Sequence, residues 1–210
     1  MQITTFPSTE DRHMDNLLVI DIAFALRGRD APLDHGYCLY AALSTILPEL
    51  HQAMNISIHS LHGPVVLGRL LLTTHACLQI RARTEYLPLL ARLMGQRITL
   101  DDSEIWISTF QIYPLLPHPT LRSRLVTIKG YQEPETFAEA MRRQANELGI
   151  KASFIIGQRR ILLIHEKRIV GFEVLAQDLN DEDSLKLQQL GIGGRHKMGC
   201  GIFVPVKSRA

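Results

Sequence analysis

Residues 191–201 place three cationic or titratable side chains, Arg195, His196 and Lys197, inside a stretch that contains five glycines. Glycine allows the backbone to approach a ligand closely and to adopt positive φ angles at little steric cost. The free N–H groups of such a loop can form a concavity that binds an anion, and Arg can hold a phosphate through two donors. These residue types at this spacing predict a phosphate-binding loop, and nucleic acid is the first candidate ligand.

Two other kinds of glycine-rich phosphate-binding loop are excluded, one by the order of the predicted elements and the other by the residues of the loop. A dinucleotide-binding fingerprint follows a strand and opens a helix, whereas this loop follows a predicted helix over 181–190 and precedes the last strand. A mononucleotide P-loop needs Gly-Lys-Ser/Thr, and Lys197 is followed by Met198. The alternative that remains is a flexible turn between a helix and the last strand.

His59 and His62 form an H-x-x-H pattern, which raises the question of a metal site. On a strand or turn this spacing does not place both rings on one face, and no cysteine or carboxylate cluster completes a ligand set. We therefore interpret both residues as structural or solvent-exposed and predict neither metal nor cofactor.

The elements that must position these residues follow the same order in each half of the chain. The first half predicts a strand over 17–26, a helix with Asp34 as N-cap, strands within 56–83, a helix over 84–94 and a hairpin over 97–112. The second half predicts a strand over 125–128, a helix over 134–148, strands over 152–174, the helix over 181–190 and a final strand over 202–206.

A stiff segment with three prolines in six residues, at 114–119, separates the halves. The predicted fold class is α+β, with two tandem ferredoxin-like (βαββαβ) domains and a C-terminal glycine-rich loop. The predicted boundaries are an N-terminal tail over 1–16, domains over 17–113 and 121–210, and a Pro-rich linker over 114–120.

Composition and charge agree with a partner that is a polyanion. The chain has 210 residues, 46% of them hydrophobic, which is enough for one large or two small cores. The net charge of +2 is uneven: residues 1–119 sum to −3 and residues 120–210 to +5. Three cysteines without C-x-x-C spacing predict no disulfide framework. Because no leader or membrane span is recognised, we expect a cytoplasmic protein.

Four segments together resemble one branch, the MYXAN subtype, of the CRISPR repeat-processing endoribonucleases, which belong to the RAMP superfamily. They are residues 32–37 (Pro-Leu-Asp-His-Gly-Tyr), 125–130 (Leu-Val-Thr-Ile-Lys-Gly), 169–172 (Ile-Val-Gly-Phe) and the loop over 191–201. The resemblance runs from about residue 17 to residue 206. The loop is its most specific part, whereas the ferredoxin-like pattern is shared by many unrelated proteins.

The resemblance implies an endoribonuclease that cuts precursor CRISPR RNA within its repeats without a metal ion. The 2′-hydroxyl attacks the adjacent phosphate, giving a 2′,3′-cyclic phosphate or 3′-phosphate and a 5′-hydroxyl. The implied partners are a repeat stem-loop and other subunits of the CRISPR effector complex, with no membrane or DNA contact. The alternative is a non-catalytic subunit that binds the hairpin without cutting it; a remoter one is a ferredoxin-like small-molecule binder.

This reaction needs a base, an acid and positive charge near the phosphate, and histidine suits the first two roles. His35 is the first candidate. The helix start should lower its pKa and Asp34 should raise it, so we expect a pKa near neutrality, which suits proton transfer. His51, at the end of the helix, is the competitor. Tyr37 is a weaker candidate for a supporting hydroxyl, with packing as its alternative role.

For RNA binding we select the residues of the loop and the basic residues of the second half. A-form RNA is recognised largely through shape and phosphate contacts, and an aromatic content of 6% argues against extensive base stacking. The predicted RNA-binding residues are Gly193, Gly194, Arg195, His196, Lys197, Gly199, Arg122, Arg124, Lys129, Arg159, Arg160, Lys167 and Arg168.

Overall fold

The computed structural model describes residues 18–206, so the predicted tail over 1–16 lies outside the described residues. The first half alternates short and long strands around two helices. In chain order its elements are β1 (Val19–Gly28), β2 (Asp30–Pro32), α1 (Gly36–Ile46), β3 (Ser57–Ile58), β4 (Val65–Val66), β5 (Arg69–Leu71), β6 (Cys77–Arg83), α2 (Leu87–Ala91), β7 (Arg97–Leu100) and β8 (Ser103–Pro114).

The main sheet of this half is antiparallel, with the strand order β3-β6-β1-β8-β7. Alternate residues of β1 point to opposite faces, so Ile22 and Phe24 pack into a core with Leu39 and Leu43 of α1. The predicted strand at 17–26 and the hairpin over 97–112 agree with β1, β7 and β8. A small sheet of order β2-β5-β4 was not anticipated, and the predicted helix over 84–94 is shortened to a 3₁₀ turn followed by α2.

The second half also has two helices but fewer strands than the first. Its elements are β9 (Leu121–Val126), α3 (Pro134–Glu147), β10 (Ser153–Ile164), β11 (Lys167–Gln177), α4 (Asp181–Leu190) and β12 (Val204–Pro205). They form an antiparallel sheet of order β10-β11-β9-β12. Its core contains Phe137 of α3, Phe172 of β11 and Phe203 beside β12. The helix over 181–190 begins and ends as predicted, and the side chain of Asn180 caps it by accepting a hydrogen bond from the Asp183 N–H.

The start of α1 differs from the prediction by one residue. The N-cap is His35, and Asp34 makes no cap. The Asp34 carboxylate accepts a hydrogen bond instead from the Leu163 N–H on β10, at 2.7 Å. This bond points the carboxylate towards β10, and no bond from it to the first N–H groups of α1 is seen in residues 18–206.

The proline-rich segment between the halves packs against α4. The His118 N–H donates to Ser184 Oγ at 2.8 Å, and the Gln188 amide donates to the Leu116 carbonyl at 2.8 Å. These bonds join the connector to the second half over its length. Of the helices in the described residues, none is long and apolar enough to cross a membrane.

Candidate functional site

The two ends of α1 each carry a histidine, and the one at the C-terminal end is accessible. Pro48 ends the helix and starts a 3₁₀ turn, Pro48–His51, which exposes His51 to solvent. The Tyr40 hydroxyl shares a hydrogen bond with His51 Nδ1 at 2.8 Å, and the two rings meet edge to face at 5.6 Å between centroids. This bond orients the imidazole and leaves Nε2 available to a ligand.

The glycine-rich loop reaches this histidine through Lys197. The Lys197 ammonium donates to the Leu50 carbonyl at 2.5 Å and to the His51 carbonyl at 3.3 Å. Desolvation lowers the pKa of Lys197. Tyr40, the end of α4 and residues 193–198 line a cleft of about 360 Å³ at this place. The cleft therefore combines the phenol of Tyr40 with the ammonium group of Lys197, and His51 adjoins it through its hydrogen bond to Tyr40.

Several residues of the glycine-rich loop have positive φ angles, and these angles define the path of its backbone. Gly193 and Gly199 have φ values of 83° and 78°, and Arg195 has 64°. A Cβ at Gly199 would collide with Ser60 Oγ of the first half, so this position needs glycine for space as well as for conformation. Gly194, by contrast, has ordinary φ and open space beside it.

Within the loop, His196 turns inwards. Its ring lies against Gly191 and Gly201, its Nε2 is buried without a hydrogen-bond partner, and burial lowers its pKa. The side chain of His196 therefore packs the loop from within, and its contact with RNA stays a prediction. Arg195 is half-buried and its Nη1 lies 3.4 Å from Thr127 Oγ1.

The histidine at the N-terminal end of α1 is enclosed. His35 is 4% exposed. Its Nε2 accepts a hydrogen bond from the Leu61 N–H at 2.8 Å, so the proton is on Nδ1, which donates to the Pro32 carbonyl at 2.8 Å. Burial is the main cause that lowers the pKa of His35. Both nitrogens are used by backbone groups, which makes His51 the stronger candidate, and the choice of His35 as the first catalytic candidate stays a prediction.

Tyr37 lies away from His51. Its hydroxyl bonds His165 Nε2 at 2.7 Å, with the rings 4.5 Å apart. His165 is at the tip of the β10–β11 hairpin and has a φ of 52°. Tyr37 therefore attaches the hairpin tip to the start of α1, and the phenol that contacts a candidate catalytic histidine is Tyr40.

Comparison with known proteins identifies the family. The family model for Cas6, described as Cas6 Crispr, matches residues 20–208. The chain belongs to the Cas6 family. It is 35% identical over 191 residues to the CRISPR-associated endonuclease Cas6 of Myxococcus xanthus (strain DK1622), a match that covers 90% of this chain and 83% of that relative.

Solved structures of Cas6 proteins share the fold at low sequence identity. A structure described as CRISPR associated protein Cas6 has a TM-score of 0.63 and 12% identity, and covers 90% of this chain and 99% of its own. A Cas6-related protein from Pyrococcus furiosus has a TM-score of 0.64 and 13% identity, and covers 91% of this chain and 100% of its own. At these identities both structures support the fold alone.

Three of the predicted RNA-binding arginines of this Cas6 chain line a second cleft, of about 310 Å³, together with His59, Ser60 and Gly199. Arg122 and Arg160 share the Glu173 carboxylate, at 2.6 and 3.3 Å. Arg124 donates to Ser60 Oγ at 3.1 Å, and within residues 18–206 it forms no ion pair. Partial desolvation lowers the pKa of Arg124. One carboxylate among three guanidinium groups leaves this cleft positive.

The other predicted basic residues lie at separate places. Lys129 follows β9 beside a turn, Arg159 is on β10, and Lys167 and Arg168 begin β11 next to the hairpin tip. All four are exposed. The basic set is therefore distributed over the loop, the arginine cleft, the hairpin and the β9 turn.

The H-x-x-H pattern is divided between the interior and the surface. His59 is buried, and burial lowers its pKa to about 3, whereas His62 is exposed. Over residues 18–206, no three His, Cys, Asp or Glu side chains converge where they could hold a metal ion.

Sequence reasoning missed Tyr40. The signal was present: Tyr40 lies one helical turn after Tyr37, and Pro48 predicts that the chain turns before His51. Only the fold shows that this turn brings the imidazole back to the phenol of Tyr40 rather than to that of Tyr37.

Proposed function

We propose that this Cas6-family chain is an endoribonuclease that cuts precursor CRISPR RNA within its repeats, with His51 as the group that transfers the proton. The observation that carries the proposal is the exposed imidazole held by Tyr40 beside the cleft of the glycine-rich loop. The relative from Myxococcus xanthus is named an endonuclease, which supports the same class of activity.

The proposed reaction is an internal transesterification. The 2′-hydroxyl oxygen forms a bond to the adjacent phosphorus as its proton leaves, and the bond to the 5′-oxygen breaks as that oxygen takes up a proton. The products are a 2′,3′-cyclic phosphate, which hydrolysis converts to a 3′-phosphate, and a 5′-hydroxyl. The reaction involves no oxidation or reduction. The proton lost by the 2′-hydroxyl is balanced by the proton that the 5′-oxygen gains, so the scheme needs no metal ion.

His51 suits either proton transfer. In the imidazolium form both nitrogens carry protons, so Nδ1–H donates to the Tyr40 oxygen and Nε2–H is an acid for the 5′-oxygen, which leaves a neutral ring. If the ring is neutral and Nδ1–H donates to the tyrosine oxygen, Nε2 is a base for the 2′-hydroxyl. Groups in such roles contribute roughly 10²–10⁴ in rate.

Lys197 supplies the positive charge that this reaction needs. Its ammonium donates to the backbone carbonyls of Leu50 and His51, which fixes a positive charge at the residue whose imidazole is proposed to transfer the proton. Negative charge increases on the phosphate oxygens in the transition state, and a fixed cation there stabilises that state more than the ground state.

We further propose that the arginine cleft, Arg195 and the hairpin tip bind the phosphates of the repeat stem-loop. Arg124 supports this most strongly, because no carboxylate within residues 18–206 pairs with it. Gly193 and Gly199 would keep the loop open to the RNA backbone. After cleavage the protein would stay on the hairpin as a subunit of the effector complex. We propose no contact with DNA.

The two halves are proposed to be tandem ferredoxin-like domains over 17–113 and 121–210, joined by the linker over 114–120. The support is that the strand orders β3-β6-β1-β8 and β10-β11-β9-β12 have the same connectivity. Cytoplasmic localisation stays a prediction.

Cleavage of repeat stem-loop RNA in the presence of EDTA tests the function. We expect cuts that leave a 5′-hydroxyl, and no cut where 2′-deoxyribose precedes the scissile phosphate. His51→Ala should slow cutting by roughly 10²–10⁴-fold, while His75→Ala, at an exposed histidine of a turn, should cut at the wild-type rate. Tight binding by wild-type protein without any cutting would favour the non-catalytic hairpin-binding subunit instead.

A further inference from the structure

Arg81, on β6, is a charged side chain in the interior of the protein. Its neighbours Ile80 and Ala82 face the core of the first half, so Arg81 faces the opposite side of the sheet, towards the second half. It is 1% exposed. A charge removed from water in this way must be paired and hydrogen-bonded.

Asp21, directly across on β1, supplies the counter-charge. Arg81 Nε and Nη2 donate to the two oxygens of the Asp21 carboxylate, at 2.8 and 2.9 Å. This bidentate pair fixes the plane of the guanidinium group and leaves Nη1 directed away from the first half.

The two hydrogens of Nη1 bind carbonyls of the second half. Nη1 donates to the Gln188 carbonyl and to the Phe203 carbonyl, each at 2.8 Å. Gln188 is in the last turn of α4, where carbonyls have no partner within the helix and the helix dipole is negative. Phe203 comes just before β12. The two carbonyls therefore bracket the glycine-rich loop, one before it and one after it.

The same loop contacts the first half again at its centre, where Lys197 donates to the carbonyls of Leu50 and His51. The ends of the loop are thus fixed by one residue of the N-terminal sheet, and its centre lies at the candidate catalytic histidine. A shift of the ends would be transmitted to Lys197 through bonds within the loop: the Ile192 N–H donates to the Gly201 carbonyl, and the N–H groups of Met198 and Cys200 both donate to the Arg195 carbonyl.

We propose that Arg81 is a positioning residue for cleavage: it fixes both ends of the glycine-rich loop on the N-terminal sheet and so sets where Lys197 lies relative to His51. We call the bonds from Arg81 to the Gln188 and Phe203 carbonyls the clamp. The expected effect on catalysis rests on the proposed function, whereas the existence of the clamp does not. An arginine suits the role because its donors have a rigid planar arrangement that lysine lacks.

Arg81→Lys tests the clamp, with Arg83→Lys on the same strand as the matched control, since Arg83 is partly exposed and lies 3.8 Å from Glu85. We expect Arg81→Lys to lower the single-turnover cleavage rate at saturating protein by roughly 10²-fold, the size of effect that a 1 Å misplacement produces. The dissociation constant for repeat RNA should change far less, and Arg83→Lys should behave as wild type.

A double variant separates positioning from general structural damage. If Arg81 acts through Lys197, then Arg81→Lys combined with Lys197→Ala should cut no more slowly than Lys197→Ala alone. Multiplicative losses would mean that Arg81 acts elsewhere and would overturn the proposal.

A chemical readout tests the clamp without cleavage. The Lys197 ammonium is held by two carbonyls, so its acetylation by an N-hydroxysuccinimide ester, measured by mass spectrometry against exposed Lys129, should be slow in wild type and faster in Arg81→Lys. If wild type fails to cut RNA, the proposed function fails while this measurement still decides the clamp. Unchanged Lys197 reactivity in folded Arg81→Lys would overturn the clamp.

Should Arg81→Lys fail to fold, Asp21→Asn combined with Arg81→Gln removes both charges together and avoids an unpaired buried charge. The same increase in Lys197 reactivity is expected for it. Wild-type reactivity in this pair would equally overturn the proposal.

Discussion

The two ends of α1 carry one histidine each, and their surroundings give them opposite properties. At the N-terminal end, His35 is enclosed and both ring nitrogens bond backbone groups. In the 3₁₀ turn that follows the C-terminal end, His51 is exposed, and within residues 18–206 Tyr40 is the one side chain that bonds its ring. A histidine can transfer a proton to a substrate only if one nitrogen is free to reach it. The comparison shows what distinguishes a structural from a catalytic histidine. The deciding property is whether the second ring nitrogen already has a hydrogen-bond partner, and not whether the residue lies near a helix end.

The largest expected effect is on the rate. His51→Ala should lower the single-turnover cleavage rate by roughly 10²–10⁴-fold, the usual contribution of a general acid or base, while RNA affinity measured by filter binding stays close to wild type. A His51→Ala protein that cuts at the wild-type rate would remove the distinction between the two ends.

The next effect is on stability. His35→Ala leaves the Leu61 N–H and the Pro32 carbonyl without their partner, and each unsatisfied buried group costs about 1–3 kcal/mol. Denaturant unfolding should therefore show a loss of that order for His35→Ala and little change for His51→Ala. At a temperature where it stays folded, His35→Ala should cleave nearly as fast as wild type.

The dependence of stability on pH should follow the enclosed ring. Burial lowers the folded-state pKa of His35 below the value of about 6.5 in an unfolded chain. Between the two values the unfolded state binds more protons, so the stabilisation is complete above about pH 6.5 and is lost as the pH falls towards the folded-state pKa. His59 and His196 add slopes of the same sign.

We therefore expect the melting temperature of wild type to fall between about pH 7.5 and about pH 5.5, and to fall less in His35→Gln. His51→Ala should reproduce the wild-type profile. A His35→Gln profile parallel to that of wild type would show that the ring is not held neutral.

The smallest effect separates the two tyrosines of α1. Tyr40→Phe removes the hydrogen bond that orients His51, which is worth about 0.5–1.5 kcal/mol and so about a 2- to 13-fold loss of rate. Tyr37→Phe, the matched control one turn earlier, breaks only the contact with His165. Equal losses in both variants would show that Tyr40 has no special relation to the catalytic histidine.

The sequence was sufficient for the elements whose hydrophobic pattern is long. The strand at β1, the helix over 181–190 and the order of strands and helices in each half follow from periodicity and end signals. The small sheet β2-β5-β4 was missed because its strands have only two or three residues. Two or three residues are too few to show the alternation of hydrophobic and polar side chains that identifies a strand.

The candidate site was predicted in part. Histidines on both sides of α1 and the cationic glycine-rich loop were named as candidates, and the positive φ that glycine permits in the loop occurs at Gly199. The features of the site that were not predicted depend on contacts between residues far apart in the chain. Leu61 bonds His35, Leu50 and His51 bond Lys197, and Gly191 and Gly201 enclose the ring of His196. No local pattern encodes such pairs.

The central claim is that one imidazole of α1 has no nitrogen to offer and the other does, and nitrogen-15 NMR of the histidine rings tests it most directly. With repeat RNA protected from cleavage by 2′-O-methyl groups, we predict that His35 keeps its Nδ1–H tautomer with unchanged shifts, while His51 Nε2 shifts on binding. A shift of the His35 nitrogens with a silent His51 would contradict the account.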